Sequence, residues 1–148
     1  MRIVLQRVSR ATVRVAGRTV GEIGRGLLLL VAVERADTRE ILDSLATKVV
    51  NLRIFPDEAG KMNRSSLEQR AEILSVSQFT LAASLERGRR PSFEAAAAPE
   101  IARELFDRFV EKLRESGLRV ATGEFGAMME VELVNDGPVT FVLEGGIR

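Results

Sequence analysis

The segment Ser77-Gln78-Phe79-Thr80-Leu81 sets two hydroxyls and an amide around one large apolar side chain, at the end of an apolar run that reads as a strand. Where a chain leaves a sheet, its backbone N–H groups lose their ladder partners. With neighbouring hydroxyls they could surround a developing oxyanion. An ordinary strand end closed by hydroxyl-to-backbone turn bonds accounts for the same residues. A second segment, Asn135-Asp136-Gly137-Pro138-Val139-Thr140, is rich in turn formers, and a hairpin connection is its simplest reading. Its Gly-Pro bond is a tertiary amide, for which the cis form costs only about 0.5–1 kcal/mol. A third segment, Glu86-Arg87-Gly88-Arg89-Arg90-Pro91-Ser92-Phe93, offers three guanidinium groups and a ring. That set suits phosphates and a stacked base, and equally a solvated loop. In Gly123-Glu124-Phe125-Gly126-Ala127, Phe125 between glycines lines a pocket or plugs the core.

Composition narrows the chemistry. The 148 residues contain no cysteine and no histidine. A thiolate nucleophile, a disulfide scaffold, a Cys-based metal site and the commonest general base are therefore absent. Acidic residues are scattered, Gly24-Arg25-Gly26 lacks the rest of a P-loop or dinucleotide fingerprint, and no metal or cofactor is expected. Catalysis must rest on carboxylates, lysine, backbone groups or groups carried by the substrate. A net charge of +1 gives no global nucleic-acid signature, so any RNA contact must be local. The longest apolar run, Leu27 to Val33, is too short to cross a bilayer, and the expectation is a soluble, cytoplasmic protein.

The elements that must position these segments follow from periodicity. Ile3 to Val8, Ala11 to Val15 and Thr19 to Ile23 read as strands, with Ala16-Gly17 as a hairpin turn. Leu27 to Val33 is apolar throughout and suggests a strand covered on both faces. Asp37 with Glu40 marks a helix start of the capping-box kind, followed by Ile41, Leu42, Leu45, Val49 and Leu52 at helical spacing. Arg53 to Phe55 and Ile73 to Phe79 read as strands. Pro99 opens a second helix with Ile101, Leu105, Phe109 and Leu113 as its apolar spine and Gly117 beyond its end. Ala127 to Val134 and Val139 to Leu143 read as two strands flanking Gly137-Pro138, and residues 144–148 as a frayed tail. The expected fold is α+β: one domain over residues 1–148, a mainly antiparallel or mixed, barrel-like sheet, and two helices.

Taken together, these segments resemble the bacterial D-aminoacyl-tRNA deacylase family along the whole chain. The likeness rests on Gln6-Arg7-Val8-Ser9-Arg10-Ala11, Gly21-Glu22-Ile23-Gly24, Asn51-Leu52-Arg53-Ile54-Phe55, Gly60-Lys61-Met62-Asn63 and Arg90-Pro91-Ser92-Phe93, with the two signature motifs intact at Ser77 to Leu81 and Asn135 to Thr140. The resemblance implies a homodimer acting on the aminoacylated 3′ end of tRNA, in which a cis Gly137-Pro138 reaches into the partner's site. It implies that Ser77, Gln78, Phe79 and Thr80 line the pocket at the scissile ester. It further implies substrate binding by Asn135, Gly137, Pro138, Val139 and Thr140, with Phe125 near the terminal adenosine, Ala102 in the adenine pocket and Arg7 bracing the Gly-Pro element. Hydrolysis would then depend on the ribose 2′-hydroxyl and on backbone N–H groups at Phe79 and Thr80. L-aminoacyl esters would be rejected and glycyl-tRNA accepted. Two other functions remain open: a non-catalytic tRNA-binding module using the arginine loop, and a Ser/Thr esterase using Thr80.

Overall fold

Residues 1–146 of the protein are described in a computed structural model. Burial alternates with period two from Arg2 to Arg7 and again from Ala11 to Arg14, within a single strand, β1 (Arg2–Val15), rather than two. The exposed pair Ser9-Arg10 sits where β1 changes partner. Residues 2–8 pair antiparallel with β3 (Gly26–Ala32), and residues 11–15 with β2 (Arg18–Ile23). The β1–β2 turn falls at Ala16-Gly17, both with positive φ (50° and 78°), as the twist of a two-residue hairpin requires. β3 pairs in parallel with β6 (Glu72–Ser77), and β6 in parallel with β7 (Val120–Thr122). The sheet is therefore mixed, ordered β2-β1-β3-β6-β7. A Cβ on Gly21 of β2 would lie 2.2 Å from the Thr122 carbonyl oxygen of β7, so the two end strands nearly meet and the sheet nearly closes as a barrel.

Two cores result from the alternation of side chains. Leu28 joins Val8, Ala11, Val13, Ile23, Leu74 and Val76 inside the barrel. Leu27, Leu29 and Val31 face the other way, onto helices α1 (Arg39–Asn51) and α3 (Pro99–Arg114). That double burial explains the uninterrupted apolar run. The cap of α1 is Thr38, whose hydroxyl accepts from the Ile41 N–H. Asp37 instead accepts from the Glu34 N–H and pairs with the Met1 amino group. In α3, Leu105, Phe109 and Leu113 are buried but Ile101 is exposed. A strict four-residue row drifts by about 40° per step on a 3.6-residue helix, so one end of a long row leaves the buried face.

The expected two helices become three among the described residues. The short α2 (Ser66–Gln69) carries a reciprocal capping box between Ser65 and Glu68 and ends at Arg70 in the left-handed region. It follows a separate two-stranded sheet of β4 (Arg53–Pro56) and β5 (Met62–Ser65). The expected pair of C-terminal strands is one strand, β8 (Glu130–Glu144), lying along the second edge of β1. The hairpin reading of Asn135 to Pro138 is thus overturned. Glu144 belongs to β8 and the Gly145 N–H donates to the Met1 carbonyl at 3.0 Å, so the tail is tied down there. Ile147 and Arg148, also expected to fray, lie outside the described residues. No helix among the described residues is long and apolar enough to cross a membrane.

Candidate active site

β3 and β6 run parallel and end together. Val31 pairs with Ser77, and the Gln78 N–H donates to the Val31 carbonyl at 2.8 Å. The strand expected to reach Phe79 stops at Ser77, and Phe79–Ala82 form one 3-10 turn. Within it, the Leu81 N–H donates to the Gln78 carbonyl (3.2 Å) and the Ala83 N–H to that of Thr80 (3.1 Å). The N–H groups of Phe79 and Thr80 precede the turn's first donor, the Leu81 N–H, and neither has a hydrogen-bond acceptor among the described residues. The Thr80 hydroxyl accepts from the Gln78 amide at 3.2 Å. The Phe79 ring is exposed and lies tilted on Phe93, centroids 5.1 Å apart.

Two further elements end beside this turn. The Ala97 N–H donates to the Val33 carbonyl at 3.1 Å, which sets the start of α3, and with it half-buried Ala102, next to the same strand end. β7 pairs Thr122 with Ser75, so the following residues continue alongside Ser77. Phe125 then packs on Phe106 (6.1 Å between centroids) beneath the Arg103 guanidinium (5.1 Å). A depression of about 240 Å³ borders Phe106, Val110, Gly123 and Phe125. Ser77, Gln78, Phe79 and Thr80 thus lie at the carboxyl ends of β3 and β6, while Ala102 belongs to the helix that follows the end of β3 and Phe125 to the segment that follows β7. The aromatic and cationic support for Phe125 by Phe106 and Arg103 was missed from the sequence. Its only signal was their spacing of three residues on one helix.

The remaining expected residues form a second group on β8. Gln6 pairs with Thr140 and Val8 with Asn135, so two steps along β1 (8 − 6) meet five along β8 (140 − 135). Asp136 to Val139, four residues opposite the single Arg7, stand out as a bulge that includes a cis Gly137-Pro138 bond. Side chains fasten the bulge from both ends. The Asn135 carbonyl oxygen accepts from the Val139 N–H (2.7 Å), while its amide nitrogen donates to the Val139 carbonyl (3.3 Å) and the Thr140 hydroxyl (3.1 Å). Gln6 also donates to that hydroxyl at 3.3 Å. Arg7, only 8% exposed, donates from Nε to the Asp136 carbonyl (3.0 Å) and from Nη1 to the Ile54 carbonyl of β4 (2.6 Å). Within the bulge Gly137, at φ +144°, requires glycine: an added Cβ would lie 2.6 Å from Val139 Cγ2 and 2.8 Å from the Val139 nitrogen. Val139 is buried, whereas Gly137 and Pro138 are exposed.

The two groups do not meet within one chain. Arg7 lies four residues along β1 from Ile3, which shares a row with Leu143, Val31 and Ser77. Three strand spacings and four residues of rise separate the bulge from the strand end by roughly 20 Å along the sheet. The carboxylates held below the ordinary range lie elsewhere: Asp43 beside Arg108, Asp57 and Glu58 in the turn after β4, Glu68 in its capping box, and Glu132 beside Arg14. Among the described residues no three Asp or Glu side chains converge as metal ligands.

Comparison with known proteins assigns this arrangement. A profile described as D-Tyr-tRNA(Tyr) deacylase matches residues 4–144. The D-aminoacyl-tRNA deacylases of Geotalea uraniireducens and Brevibacillus brevis are 58% and 56% identical to the chain, covering 97% of it and 93% and 99% of those proteins. A solved structure named c-Myc DNA Unwinding Element Binding Protein is 41% identical, with a TM-score of 0.93 over 99% of this chain and all of that one. A second, a probable eukaryotic D-amino acid tRNA deacylase, shares the fold at 22% identity and a TM-score of 0.86. Fold and motifs thus place the molecule among hydrolases of the deacylase class. The chain belongs to the D-Tyr-tRNA(Tyr) deacylase family. That assignment sets aside the non-catalytic binding module.

Proposed function

We propose that the protein hydrolyses the ester of D-aminoacyl-tRNA, releasing the D-amino acid and free tRNA, and spares the L form. The observation that carries the reading is the pair of unpartnered N–H groups at Phe79 and Thr80 where the chain leaves β6. Water adds to the ester carbonyl carbon, and the resulting oxyanion accepts from those two N–H groups. Collapse breaks the bond to the ribose 3′ oxygen, which takes up the proton that the water gives up, relayed by the neighbouring 2′-hydroxyl. An aminoacyl ester is already activated, so positioning and oxyanion stabilisation suffice. The Ser/Thr esterase reading is disfavoured because the only partner of the Thr80 hydroxyl among the described residues is the Gln78 amide, which is no base.

Selectivity is assigned to the bulge of a second protomer. The roughly 20 Å between bulge and strand end in one chain, together with the free edge of β8, supports a homodimer in which each Gly137-Pro138 enters the partner's site. Exposed Val134, Phe141 and Val142 on that strand supply apolar surface for such a contact. Backbone atoms at Gly137 and Pro138, held by Arg7 and Asn135, would collide with an L side chain of any identity. Glycine has no side chain to exclude, so glycyl-tRNA, including tRNA(Ala) mischarged with glycine, is also a substrate. A paired assay tests the reading. D-Tyrosyl-tRNA and glycyl-tRNA should be hydrolysed at catalytic enzyme concentrations with L-tyrosyl-tRNA intact; equal rates on both enantiomers would refute it.

A further inference from the structure

The arginine loop takes no part in the site described above, yet it is anchored to it. Residues 84–92 close on themselves through reciprocal backbone bonds between Ser84 and Ser92 (2.8 and 2.9 Å). Gly88, at φ +66°, forms the tip. Phe93, the next residue after the closure, carries the ring that lies on Phe79. The loop therefore projects from the turn that holds the proposed oxyanion donors. From Ser84 to the tip it reaches at most about 14 Å.

Its charge is unusual for this molecule. Arginines elsewhere are mostly engaged: Arg2, Arg7, Arg10, Arg14, Arg39, Arg64, Arg108 and Arg119 pair with carboxylates, while Arg25, Arg53 and Arg114 donate to other oxygens. Arg87, Arg89 and Arg90 are exposed and form no ion pair or hydrogen bond among the described residues, although Glu86 and Glu94 lie close in sequence. Three uncompensated guanidinium groups in four positions concentrate positive potential in a protein of net charge +1. Exposed Arg18, Arg35 and Arg70 also lack a side-chain partner among the described residues, but each stands apart in sequence, whereas Arg87, Arg89 and Arg90 are clustered.

We infer that this loop is a phosphate clamp for the RNA strand leading away from the scissile ester, with Arg87, Arg89 and Arg90 meeting the phosphates just inside the terminal nucleotide. The inference rests on the deacylase reading, which puts the ester beside Phe79 and Thr80. The loop's reach then places its cations along the next nucleotides rather than on the reacting atoms. Contacts of this kind position a substrate without reading its sequence.

The test combines a binding measurement that needs no turnover with a kinetic one. The probe is an uncharged-ended RNA hairpin carrying a 3′-CCA tail, titrated against wild type and the R87Q/R89Q/R90Q variant at several salt concentrations. Each phosphate contact adds about 0.7–0.9 to the slope of log affinity against log salt, so the variant's slope should fall by roughly 2. Its affinity should drop at least 10-fold at 0.1 M salt. In turnover, KM for D-tyrosyl-tRNA should rise by a similar factor with kcat little changed, while hydrolysis of D-tyrosyl-adenosine, which lacks the strand, should be unaffected. An unchanged salt slope would overturn the clamp. So would an equal loss on the minimal substrate, which would mean the loop merely supports Phe79 through Phe93. Inactive wild type with a lowered slope in the variant would count against the deacylase reading and for the clamp.

Discussion

The strand end at Ser77 to Thr80 and the bulge at Asn135 to Thr140 treat the backbone in opposite ways. At the strand end two N–H groups are left open, and the nearby side chains bond mainly to each other. At the bulge an arginine and an asparagine occupy the polar groups of the chain, and the geometry is fixed from both sides. An open donor serves a charge that exists only during reaction. A fastened loop serves a shape that must not yield, since selectivity by exclusion is lost if the excluding atoms move. On the proposed reading, the same barrel separates charge stabilisation from steric discrimination, and each calls for different breakage.

The largest effect is expected from removing an open donor. Phe79→Pro eliminates one N–H at the first residue of the turn, a position that tolerates proline, after Gln78 outside the helical region (φ −143°, ψ 86°). Relative to Phe79→Ala, which controls for the ring, kcat should fall about 100- to 1,000-fold, by analogy with loss of an oxyanion-hole donor. Equal rates for the two variants would remove the donor role. Breaking the other region should alter discrimination first. Gly137→Ala forces a Cβ against Val139 at an unfavourable φ, so the bulge must reshape; the ratio of D to L hydrolysis should fall at least 10-fold. Unchanged selectivity would show that the bulge does not discriminate.

Arg7→Ala sharpens the comparison by separating support from contact. It leaves the buried Ile54 carbonyl and the part-buried Asp136 carbonyl without their charged donor and should cost about 2–3 kcal/mol in chemical denaturation, with selectivity reduced in the surviving enzyme. Arg7→Lys should recover little, because one ammonium cannot reproduce the fork to two carbonyls. Thr80→Ala should change kcat only a few-fold; abolition would revive the hydroxyl nucleophile.

Much of this division was legible in the sequence, and the failures have physical causes. The missing histidine and cysteine pointed to backbone chemistry, and both motifs were visible as residue patterns. The bulge was misread as a hairpin because Asn-Asp-Gly-Pro is equally good turn chemistry; only the partner strand, continuous from Arg2 to Val15, shows that β8 passes through without reversing. α2 was overlooked although Ser65 and Glu68 carry a capping-box signature, because four residues contain no periodicity to detect. β7, three residues long, is held by parallel pairing with β6, a contact with no local sequence mark. The support of Arg7 by Ile54 joins positions 47 apart and belongs to tertiary structure alone.

The smallest effect concerns acid. The Asp57 carboxyl is held below the ordinary carboxylate range by N–H groups of Lys61 and Ala59 and by Asn63. It contributes stability above its unfolded value, near pH 4, and loses that contribution as pH falls through the lower folded value. Asp57→Asn should therefore narrow the stability difference between pH 6 and pH 3 in urea titrations, without changing D/L selectivity; an unaltered pH dependence would contradict this.

The central claim is that each complete site takes its donors from one protomer and its discriminating bulge from another. Mixing the Phe79→Pro and Gly137→Ala proteins after co-refolding tests it directly. Half of the dimers are then mixed, each with one site built from the two intact regions, so selective D-aminoacyl-tRNA hydrolysis should return to about a quarter of the wild-type rate. If both regions served the same protomer's site, every site would carry one lesion, and the mixture would show no more than the average of its two components.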